Sequence, residues 1–371
     1  MLFWILFMVV VFAFSAGALA YLAGRMRRFA LVQKIAGGRR AAQWLIGAAL
    51  VLLPAAALWL AWGTMNALIC VLHLALFWLL CDLVCACICR ARRKAFRRYY
   101  AGAAALLITA AYLSAGWVQA HGVWQKDYAI QTAKPVGSLR VALIADSHIG
   151  TTFDGAGFVD KLAPLQAQSP DVVVLTGDFV DEGTTEAEMR AAARALGDLD
   201  APFGVYFVFG NHDKGVYSNG RRGYGAAEVI EALEENGVTV LQDETALIGD
   251  RFYLIGRQDA SEAAGRADMA TLTQGLDADR FSIVLDHQPR DYAAQAASGV
   301  DLVLSGHTHG GQMIPLMQLI ELFKLGGDDS AYGLKHIGDT DFIVTSGISD
   351  WELLFKTGCR SEFAIIDIEG K

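Results

Sequence analysis

The back half of this chain is almost without cysteine. Residues 131–371 contain only Cys359, and the other five cysteines lie between residues 70 and 89. A single cysteine cannot close an intrachain disulfide, so no disulfide framework holds this half together. It also lacks any run of Lys or Arg, and its 18 Lys/Arg against 37 Asp/Glu give a formal charge of −19. An acidic domain without a basic patch argues against a nucleic-acid partner.

The front half has the opposite shortage, that of acidic residues. Residues 1–130 hold 13 Lys/Arg but 2 Asp/Glu, a formal charge of +11. The whole chain has 371 residues, is 54% hydrophobic and has a mean hydropathy of +0.35. This composition is too apolar for one soluble domain, and the length is sufficient for two structural units.

Four apolar stretches in the front half are close to the ~20 residues that a helix needs to cross a bilayer. They are Leu2–Gly24, Ala41–Trp62, Met65–Cys89 and Tyr100–Trp117. They predict a four-helix transmembrane module over residues 1–122, followed by a linker over residues 123–137. The alternative, a cleaved signal peptide over Leu2–Ala20, is disfavoured because this stretch has no basic start and is too long for such a peptide.

Basic residues lie unevenly between these stretches. Six follow the first stretch and six follow the third, whereas only "GT" separates the second from the third. Short loops rich in Lys and Arg stay on the cytoplasmic side of a membrane. The pattern predicts a multi-pass protein of the cell membrane with residues 138–371 outside the cytoplasm.

Polar and sulfur-containing side chains in the third stretch have structural explanations. The cysteines of "CACIC" occupy alternate positions, which do not converge on one point of a helix, and free cysteine packs as a small hydrophobe. His73 and Asp82 are nine residues apart and face opposite ways on a helix. We therefore expect each of them to contact another helix, although ionisable residues inside a membrane often have functions.

Residues 138–371 alternate short β-branched runs with Ala-, Leu- and Glu-rich stretches. "LRVALIA", "DVVVLT", "GVYFVF", "FSIVL" and "DLVLS" predict buried strands, while "EAEMRAAARALGDL" and "AAEVIEALEENG" predict helices. This alternation indicates an α/β domain with much of its sheet buried.

Each predicted strand is followed directly by polar residues. The five short segments are Asp146–His148, Gly177–Asp178, Gly210–Asp213, Asp286–His287 and Gly306–His309. Five of the six histidines in this half lie in these segments, at the strand ends where α/β sheets bind ligands. Carboxylates, an amide and imidazoles without a thiolate suit Mn²⁺, Fe²⁺ or Zn²⁺. There are too many of them for one ion, and two ions roughly 3.5–4 Å apart can hold both the attacking and the leaving oxygen of a phosphoryl group.

The ordered series D-S-H, G-D-F-V-D, G-N-H-D, H and G-H-T-H resembles the calcineurin-like metallophosphoesterase family. More narrowly, "GHTHGGQ" is similar to the last motif of bacterial membrane-anchored or exported phosphoesterases. The resemblance runs from about Leu139 to the C-terminus and covers none of the membrane module. It implies a two-sheet α/β sandwich flanked by helices, in a bacterial cell-membrane protein.

The resemblance also implies two divalent metal ions, with Mn²⁺ as the first candidate and Fe²⁺ or Zn²⁺ as alternatives. It assigns one ion to Asp146, His148 and His309, the other to Asn211, His287 and His307, and a bridging role to Asp178. A hydroxide between the ions would attack phosphorus. His212 would stabilise the transition state or protonate the leaving group, with Asp181 as the acid that orients it.

Two segments outside the motifs bear on the substrate. "GVYSNGRRGYG" carries Arg221, Arg222 and Tyr224, and it is either an anion-binding loop or a solvated one. "MIPLMQLIELFKLGG", residues 313–327, is either a core helix or an apolar lip that touches acyl chains or the bilayer.

These observations favour a membrane-tethered phosphoesterase that cuts a phosphomonoester, a phosphodiester or a pyrophosphate, including lipid- or nucleotide-linked ones. One alternative is a hydrolase similar to UDP-2,3-diacylglucosamine pyrophosphatase, whose cytoplasmic substrate fits the predicted topology poorly. The other is a non-catalytic metal-binding membrane sensor or scaffold, which the presence of Asp178, Asp181 and His212 disfavours.

Overall fold

The computed structural model describes residues 2–218, 220–262 and 265–371. Its internal contacts divide the chain into two compact units, Met1–Gly116 and Trp117–Lys371. The first unit is helical, and the second combines two β-sheets with helices.

From residue 2 onward, the first unit is built from four helices. They are α1 (Leu2–Met26), α2 (Ala30–Ile35), α3 (Arg40–Arg92) and α4 (Tyr100–His121), whose last turn belongs to the second unit. By length and composition, α3 and α4 are long and apolar enough to cross a membrane. Val11–Met26 forms a shorter apolar helix.

Helix α3 reverses direction at Gly63, where the backbone is non-helical (φ 79°, ψ 177°). Residues before and after this glycine, among them Pro54 and Val71, line the same cavity of about 260 Å³. In a straight helix these two residues would be roughly 25 Å apart at 1.5 Å per residue. The 53-residue α3 is therefore a hairpin of two helices, which meet at the uncharged "GT" of residues 63–64.

Asp82 lies in a polar cluster inside the first unit. Its carboxylate is 2.8 Å from Nε of Arg25 and accepts hydrogen bonds from the hydroxyl groups of Tyr21 and Tyr99. These contacts join α1, α3 and the segment before α4, so the predicted interhelix contact of Asp82 is confirmed. A partly buried charge of this kind is tolerated when it is paired and hydrogen-bonded.

The described residues of the second unit form twelve strands. They are β1 (Trp124–Gln131), β2 (Ser138–Ile144), β3 (Val172–Thr176), β4 (Val205–Val208), β5 (Val238–Val240), β6 (Glu244–Ile248), β7 (Phe252–Gly256), β8 (Phe281–Leu285), β9 (Leu302–Ser305), β10 (Gly333–Ile337), β11 (Thr340–Val344) and β12 (Glu362–Glu369). Its own helices are α5 (Gly155–Gln166), α6 (Glu186–Gly197), α7 (Ala226–Glu234), α8 (Met269–Leu272), α9 (Tyr292–Ala297) and α10 (Leu316–Phe323). The five predicted strands and two predicted helices are all present.

The strands form two six-stranded sheets, in the orders β1-β12-β2-β3-β4-β5 and β10-β11-β9-β8-β7-β6. The run β2-β3-β4-β5 is parallel, as is β7-β8-β9-β11. Strand β1 lies within the segment predicted as a linker and pairs in parallel with β12. Its "WQKDYAIQ" sequence is mostly exposed, as suits a strand at the edge of a sheet.

Apolar side chains explain why the two sheets stack. Alternate residues of β2 point to opposite faces: Val141 and Leu143 join a core that also contains Ile283 and Leu304 of the other sheet. Ala142 and Ile144 instead pack in the core beneath α5, α6 and α7. A third core lies between the second sheet and α8 and α9. The unit is thus a two-sheet α/β sandwich covered by helices on its outer faces, as the sequence predicts.

Candidate metal centre

All nine residues singled out from the sequence lie in loops that follow parallel strands. Asp146 and His148 follow β2, Asp178 and Asp181 follow β3, Asn211 and His212 follow β4, His287 follows β8, and His307 and His309 follow β9. Parallel strands place their carboxyl ends at the same edge of a sheet. The loops of both sheets therefore contribute side chains to one site.

Two groups of these side chains are spaced to hold a metal ion. Asp146, His148 and His309 bring one ligand atom each to within 4.8 Å of one another, and so do Asp178, His287 and His307. Both groups match the divisions that the sequence resemblance implies. The remaining implied ligand, Asn211, has its Oδ1 3.2 Å from Nε2 of His287.

Asp178 lies between the two groups. Its Oδ2 is 3.4 Å from Nε2 of His148 and 3.1 Å from Nε2 of His287, so one carboxylate oxygen faces a histidine of each group. Its Oδ1 accepts a hydrogen bond from the backbone N–H of His212 at 2.9 Å. This hydrogen bond fixes the orientation of the Asp178 carboxylate between His148 and His287.

The surroundings of His287 suit a cation. Its Nδ1 lies 2.7 Å from the carbonyl oxygen of Thr176 and donates to it. In the neutral ring Nε2 then carries a lone pair, yet its two neighbours, Asp178 Oδ2 and Asn211 Oδ1, are both acceptors. Three acceptor atoms that face one another are satisfied by a metal ion or by an extra proton on the ring.

The surroundings of His148 also suit a cation. The side chain is fully buried, and neither ring nitrogen has a hydrogen-bond partner among the described residues. Burial disfavours the charged ring, but Asp178 and Asp181 outweigh it and raise the pKa of His148 to about 10. Buried orphan nitrogens are rare, and here a metal ion would satisfy the same carboxylates that otherwise hold a proton on the ring.

Burial also makes the last two histidines suitable ligands. It lowers the pKa of His307 to about 3 and holds the pKa of His309 well below its ordinary value. Nδ1 of His309 lies 3.3 Å from the carbonyl oxygen of Ser349, which leaves Nε2 for a ligand. Neutral imidazoles with one nitrogen anchored in this way are typical metal ligands.

The glycines of the motifs make room for the carboxylates. A Cβ atom on Gly210 would lie 2.2 Å from Oδ1 of Asp178, and one on Gly306 would lie 2.5 Å from Oδ2 of Asp146. No side chain fits at either position without moving a carboxylate of the site. This answers why G-N-H and G-H-T-H begin with glycine.

The site also concentrates unusual backbone geometry. Five non-glycine residues of the site have positive φ, namely Asp146 (54°), His148 (34°), Asp178 (51°), His307 (73°) and His309 (49°). Such conformations cost of order 1–3 kcal/mol each and persist when the surrounding structure enforces them. Because these five residues cluster in one region, the backbone there is held in conformations that direct the side chains toward the site.

His212 contacts a carboxylate that the sequence did not single out. Its Nδ1 lies 2.7 Å from Oε1 of Glu182 and 3.6 Å from Oδ1 of Asp181. Asp181 instead accepts a hydrogen bond from the Thr151 hydroxyl and lies 3.6 Å from Nδ1 of His148. Glu182 directly follows Asp181 in "GDFVDEG". The residue that contacts His212 therefore lies one position beyond the G-D-F-V-D motif used in the sequence comparison.

The electrostatic surroundings of His212 favour its protonated form. Burial opposes the charged ring, but the hydrogen bond to Glu182 and the charge of Asp178 raise the pKa of His212 above its ordinary value. His212 also belongs to a third group of side chains spaced for a metal ion, with His148 and Asp181. The geometry thus offers two uses of His212, as a proton donor or as a ligand.

The residues after G-H-T-H anchor a neighbouring loop. The Gln312 side-chain amide donates to Oδ1 of Asp350 at 3.0 Å and to the carbonyl oxygen of Trp351 at 3.1 Å. The fully buried Lys356 lies 3.1 Å from the same Asp350 oxygen, and Asp350 is 3.9 Å from Nδ1 of His309. This network ties "GHTHGGQ" to residues 349–358.

In the glycine-rich loop after G-N-H-D, Arg222 matches neither prediction from the sequence, whereas the exposed Arg221 fits a solvated loop. Arg222 is buried and donates to the carbonyl oxygens of His212 and Asp213, and Tyr224 is buried beneath it. Because its guanidinium donates to backbone carbonyl oxygens, Arg222 stabilises the loop and is not directed toward a bound anion. Arg221 is exposed and donates to the Ser218 carbonyl oxygen.

Helix α10, in the segment predicted as a core helix or a lip, buries little of its apolar surface. Ile320 is its one buried residue among those described, whereas Leu322 and Phe323 are 72% and 62% exposed. Ile314, Leu316 and Leu325 are exposed as well. The core-helix reading is therefore wrong for most of the segment.

Comparison with known proteins agrees with this geometry. The profile of the family described as calcineurin-like phosphoesterase matches residues 139–311. An uncharacterised metallophosphoesterase of Campylobacter jejuni is 30% identical over 63% of this chain and 60% of its own length. One from Bacillus subtilis, YkuE, is 26% identical over 75% of this chain and 97% of its own length.

A protein of Danio rerio described as a transmembrane protein with metallophosphoesterase domain is 29% identical over 71% of this chain and 61% of its own length. The chain thus spans about 60% of the Campylobacter and Danio relatives. The matched region begins at β2 and includes all five motifs. Residues 139–311 of this chain, which hold the whole candidate site, therefore match the calcineurin-like phosphoesterase family.

Proposed function

We propose that this protein is a membrane-tethered phosphoesterase that uses two divalent metal ions. The observation that carries the proposal is the arrangement about Asp178, whose one carboxylate oxygen faces His148 on one side and His287 on the other. Asp146 and His309 complete the first metal site in this proposal. Asn211 and His307 complete the second.

The ions, when bound, would supply positive charge for the phosphoryl oxygens and a water of lowered pKa. The donor set of carboxylate, amide and imidazole without thiolate suits Mn²⁺, with Fe²⁺ or Zn²⁺ as alternatives. The chain's own contribution is to place seven ligands on loops whose backbone geometry is fixed by the two sheets. This preorganisation avoids reorganisation of the site during the reaction.

His212 serves as the general acid in this proposal. Its Nδ1 donates to Glu182, which fixes the tautomer and leaves Nε2 for the oxygen of the leaving group. The hydrogen bond to Glu182 and the charge of Asp178 raise the pKa of His212 above its ordinary value despite burial, which favours a proton on the ring. Asp181, 3.6 Å from both His148 and His212, then serves mainly to orient the ligand His148.

The membrane part of the proposal rests on the first unit. The α3 hairpin, α4 and the apolar part of α1 supply four apolar segments, and the relative from Danio rerio is described as a transmembrane protein. A tether of this kind suits a substrate at the membrane, including a lipid-linked phosphoester. A cytoplasmic nucleotide-linked lipid precursor is the second candidate substrate, and it requires the opposite topology.

A non-catalytic metal sensor is the competing function. It needs the ligands but has no use for an imidazole held by Glu182 beside them. The contact between His212 and Glu182 therefore favours the enzyme.

The test is turnover of 4-nitrophenyl phosphate and bis(4-nitrophenyl) phosphate by the full chain in detergent. The protein is first stripped with a chelator and then given Mn²⁺, Fe²⁺ or Zn²⁺. We expect about two ions per chain by elemental analysis and activity that returns with metal. Two bound ions without turnover of either ester would support the sensor, and no bound metal would contradict both functions.

A further inference from the structure

The last turn of α4 lies in the second unit, and Ser361 caps it. The final carbonyl groups of a helix have no partner within that helix. The N–H of Ser361 donates to the carbonyl oxygen of Gln119 at 3.0 Å, and the Ser361 hydroxyl donates to that of Ala120 at 2.9 Å. Ser361 and Ala120 are both buried. One residue at the start of β12 therefore holds the end of α4, a helix long and apolar enough to cross a membrane.

The Ser361 hydroxyl also accepts a hydrogen bond from Lys356. Nζ of Lys356 lies 3.2 Å from Oγ of Ser361, 2.7 Å from the carbonyl oxygen of Ser346 and 3.3 Å from that of Ser349. Because Lys356 is fully buried, these protein atoms take the place of water around its ammonium group. The hydroxyl of Ser361 thus links the ammonium group to the end of α4.

The carbonyl oxygen of Ser349 connects this ammonium group to a proposed metal ligand. It lies 3.3 Å from Nζ of Lys356 and 3.3 Å from Nδ1 of His309. A carbonyl oxygen has two lone pairs, so it can accept from both donors. Such an acceptor fixes the ring orientation of a histidine that binds metal through its other nitrogen. A continuous series of hydrogen bonds therefore leads from the last turn of α4 to His309.

An aromatic contact holds the same loop against α4. The ring centroid of Trp117, in the last turns of α4, lies 6.0 Å from that of Phe355, with an edge-to-face angle of 65°. Phe355 is buried and directly precedes Lys356. Aromatic pairs in this arrangement contribute beyond the area that they bury. The loop over residues 355–361 is thus fixed to α4 at both of its ends.

We propose that the last turn of α4 positions the metal site of Asp146, His148 and His309, with Ser361 and Trp117 as the positioning residues. The inference rests on the proposed function, because it concerns an ion that this function requires. The apolar helix is then a structural part of the metal centre as well as a tether. A displaced α4 end shifts the Ser349 carbonyl oxygen and with it the ring of His309.

The other proposed metal site has a different anchor. Nδ1 of His287 donates to the carbonyl oxygen of Thr176, at the end of β3. This hydrogen bond lies between two parallel strands' loops and does not pass through Ser361 or Lys356. A disturbance at α4 should therefore weaken one of the two ions and spare the other.

The test is a Mn²⁺ titration, by calorimetry, of the full chain in detergent after a chelator has removed bound metal. Ser361→Ala removes the shared hydroxyl group and should weaken one ion about tenfold, the lower end of the range for a partner behind a ligand. The other ion should keep its affinity. Ser282→Ala is the matched control, because it removes another buried hydroxyl, which donates to Asp301 at the start of β8, and it should leave both ions unchanged.

Two further comparisons identify the weakened ion and its cause. Trp117→Ala should weaken the same ion as Ser361→Ala, and Trp117→Phe, which keeps an aromatic ring against Phe355, should restore most of the affinity. In a His307→Ala background, which lacks a ligand of the other site, Ser361→Ala should weaken the remaining ion by the same factor. If Ser361→Ala does not fold, the pair of Trp117 variants decides on the same readout.

Three results would overturn the inference and leave the proposed function standing. They are unchanged affinity for both ions in Ser361→Ala, equal weakening of both ions, and no effect of Ser361→Ala in the His307→Ala background. The first removes any role of α4, the second indicates general loosening of the fold, and the third assigns the loss to the other site. Failure of the unsubstituted protein to bind Mn²⁺ would instead count against the proposed function.

Discussion

Nδ1 of His212 lies 2.7 Å from the Glu182 carboxylate and 3.6 Å from that of Asp181. An N–H to O contact of 2.7 Å is a charge-assisted hydrogen bond, whereas 3.6 Å exceeds the range of one. The two neighbouring acids are therefore not equivalent. Glu182 holds the imidazole of His212 by this hydrogen bond, and Asp181 lies 3.6 Å from both His212 and His148.

This difference predicts separate effects of two isosteric substitutions. Glu182→Gln should lower kcat about 10- to 100-fold for an alkyl phosphate, whose poor leaving group needs a proton, and much less for 4-nitrophenyl phosphate. Bound metal should stay near the unsubstituted level. Asp181→Asn should weaken metal binding at His148 by roughly 10- to 100-fold, as loss of a carboxylate behind a ligand does.

Metal titrations and rates on the two esters check both variants. Glu182→Asp is the matched control, since it keeps the charge and should recover part of the rate on the alkyl ester. If Asp181→Asn alone shows the leaving-group dependence, the assignment of the two acids is reversed.

A second prediction separates the two possible uses of His212. His212→Ala should keep both metal ions and lose about 10²- to 10⁴-fold in kcat, the range for a positioned general acid. Asp178→Asn and His309→Ala should lose metal together with turnover, since each substitution removes one of the proposed metal ligands. Elemental analysis measures the bound metal of each variant, and steady-state kinetics on one substrate measures its kcat. Loss of metal in His212→Ala would show that His148, Asp181 and His212 form the occupied site.

The sequence was sufficient to single out the side chains that the structure brings together, because G-D, G-N-H-D and G-H-T-H each place a glycine without room for a Cβ next to a donor side chain. Gly210 and Gly306 leave no room for a Cβ, and the donors follow strands whose apolar runs are plain in the sequence. The directions in which acidic side chains point could not be predicted in this way. Glu182 and Asp181 are adjacent, and their directions depend on a loop whose residue Asp178 has a left-handed backbone, which no periodicity predicts.

Burial was equally hard to foresee outside the strands. Arg222 reads as a solvated or anion-binding residue, but the structure turns it to carbonyl oxygens inside the loop. Helix α10 has the apolar spacing of a core helix, yet Leu322 and Phe323 are exposed. An apolar stripe predicts that a helix is amphipathic, and it does not say what covers the stripe.

A third prediction concerns the buried pair of Lys356 and Asp350. Lys356→Met should destabilise the protein by about 3–5 kcal/mol, because the buried carboxylate of Asp350 loses its positively charged partner and keeps only the hydrogen bond from Gln312. Lys335→Met is the control: Lys335 pairs with Glu321 at a surface where both side chains are about one-third exposed, and such pairs contribute roughly 0–1 kcal/mol. Urea unfolding of the full chain in detergent measures both.

The double variant Lys356→Met with Asp350→Asn should recover part of the loss, since the charge left without a partner is gone. A cost for Lys356→Met no larger than that of Lys335→Met would mean that Asp350 finds water or another donor.

A fourth prediction concerns the exposed face of α10. Leu322→Glu and Phe323→Glu should fold normally, because their side chains are already largely in solvent. If the face touches lipid, both should lower turnover of a phosphoester held in vesicles and spare 4-nitrophenyl phosphate. Ile320→Glu, at the buried position of the same helix, should unfold the segment. Equal turnover of vesicle substrate by Phe323→Glu and the unsubstituted protein would exclude lipid contact.

The last prediction is that the second unit lies outside the cytoplasm. The last turn of α3 and the segment before α4 together carry six basic residues: Arg90, Arg92, Arg93, Lys94, Arg97 and Arg98. A short segment of this charge stays on the cytoplasmic side, so a single crossing by α4 carries the chain to the other side. Because α3 reverses at Gly63, its two halves return the chain to the side on which α3 began, and the basic residues between Arg25 and Arg40 lie there too.

Both basic clusters therefore agree on one orientation, and an unbroken α3 would put them on opposite sides. Alkaline phosphatase fused after Lys371 should be active, and green fluorescent protein fused there should be dark. Fusions within the segment 93–98 are the matched control and should give the reverse pair. A bright fluorescent protein after Lys371 would place the catalytic unit in the cytoplasm. That outcome would make a cytoplasmic lipid precursor the leading substrate instead.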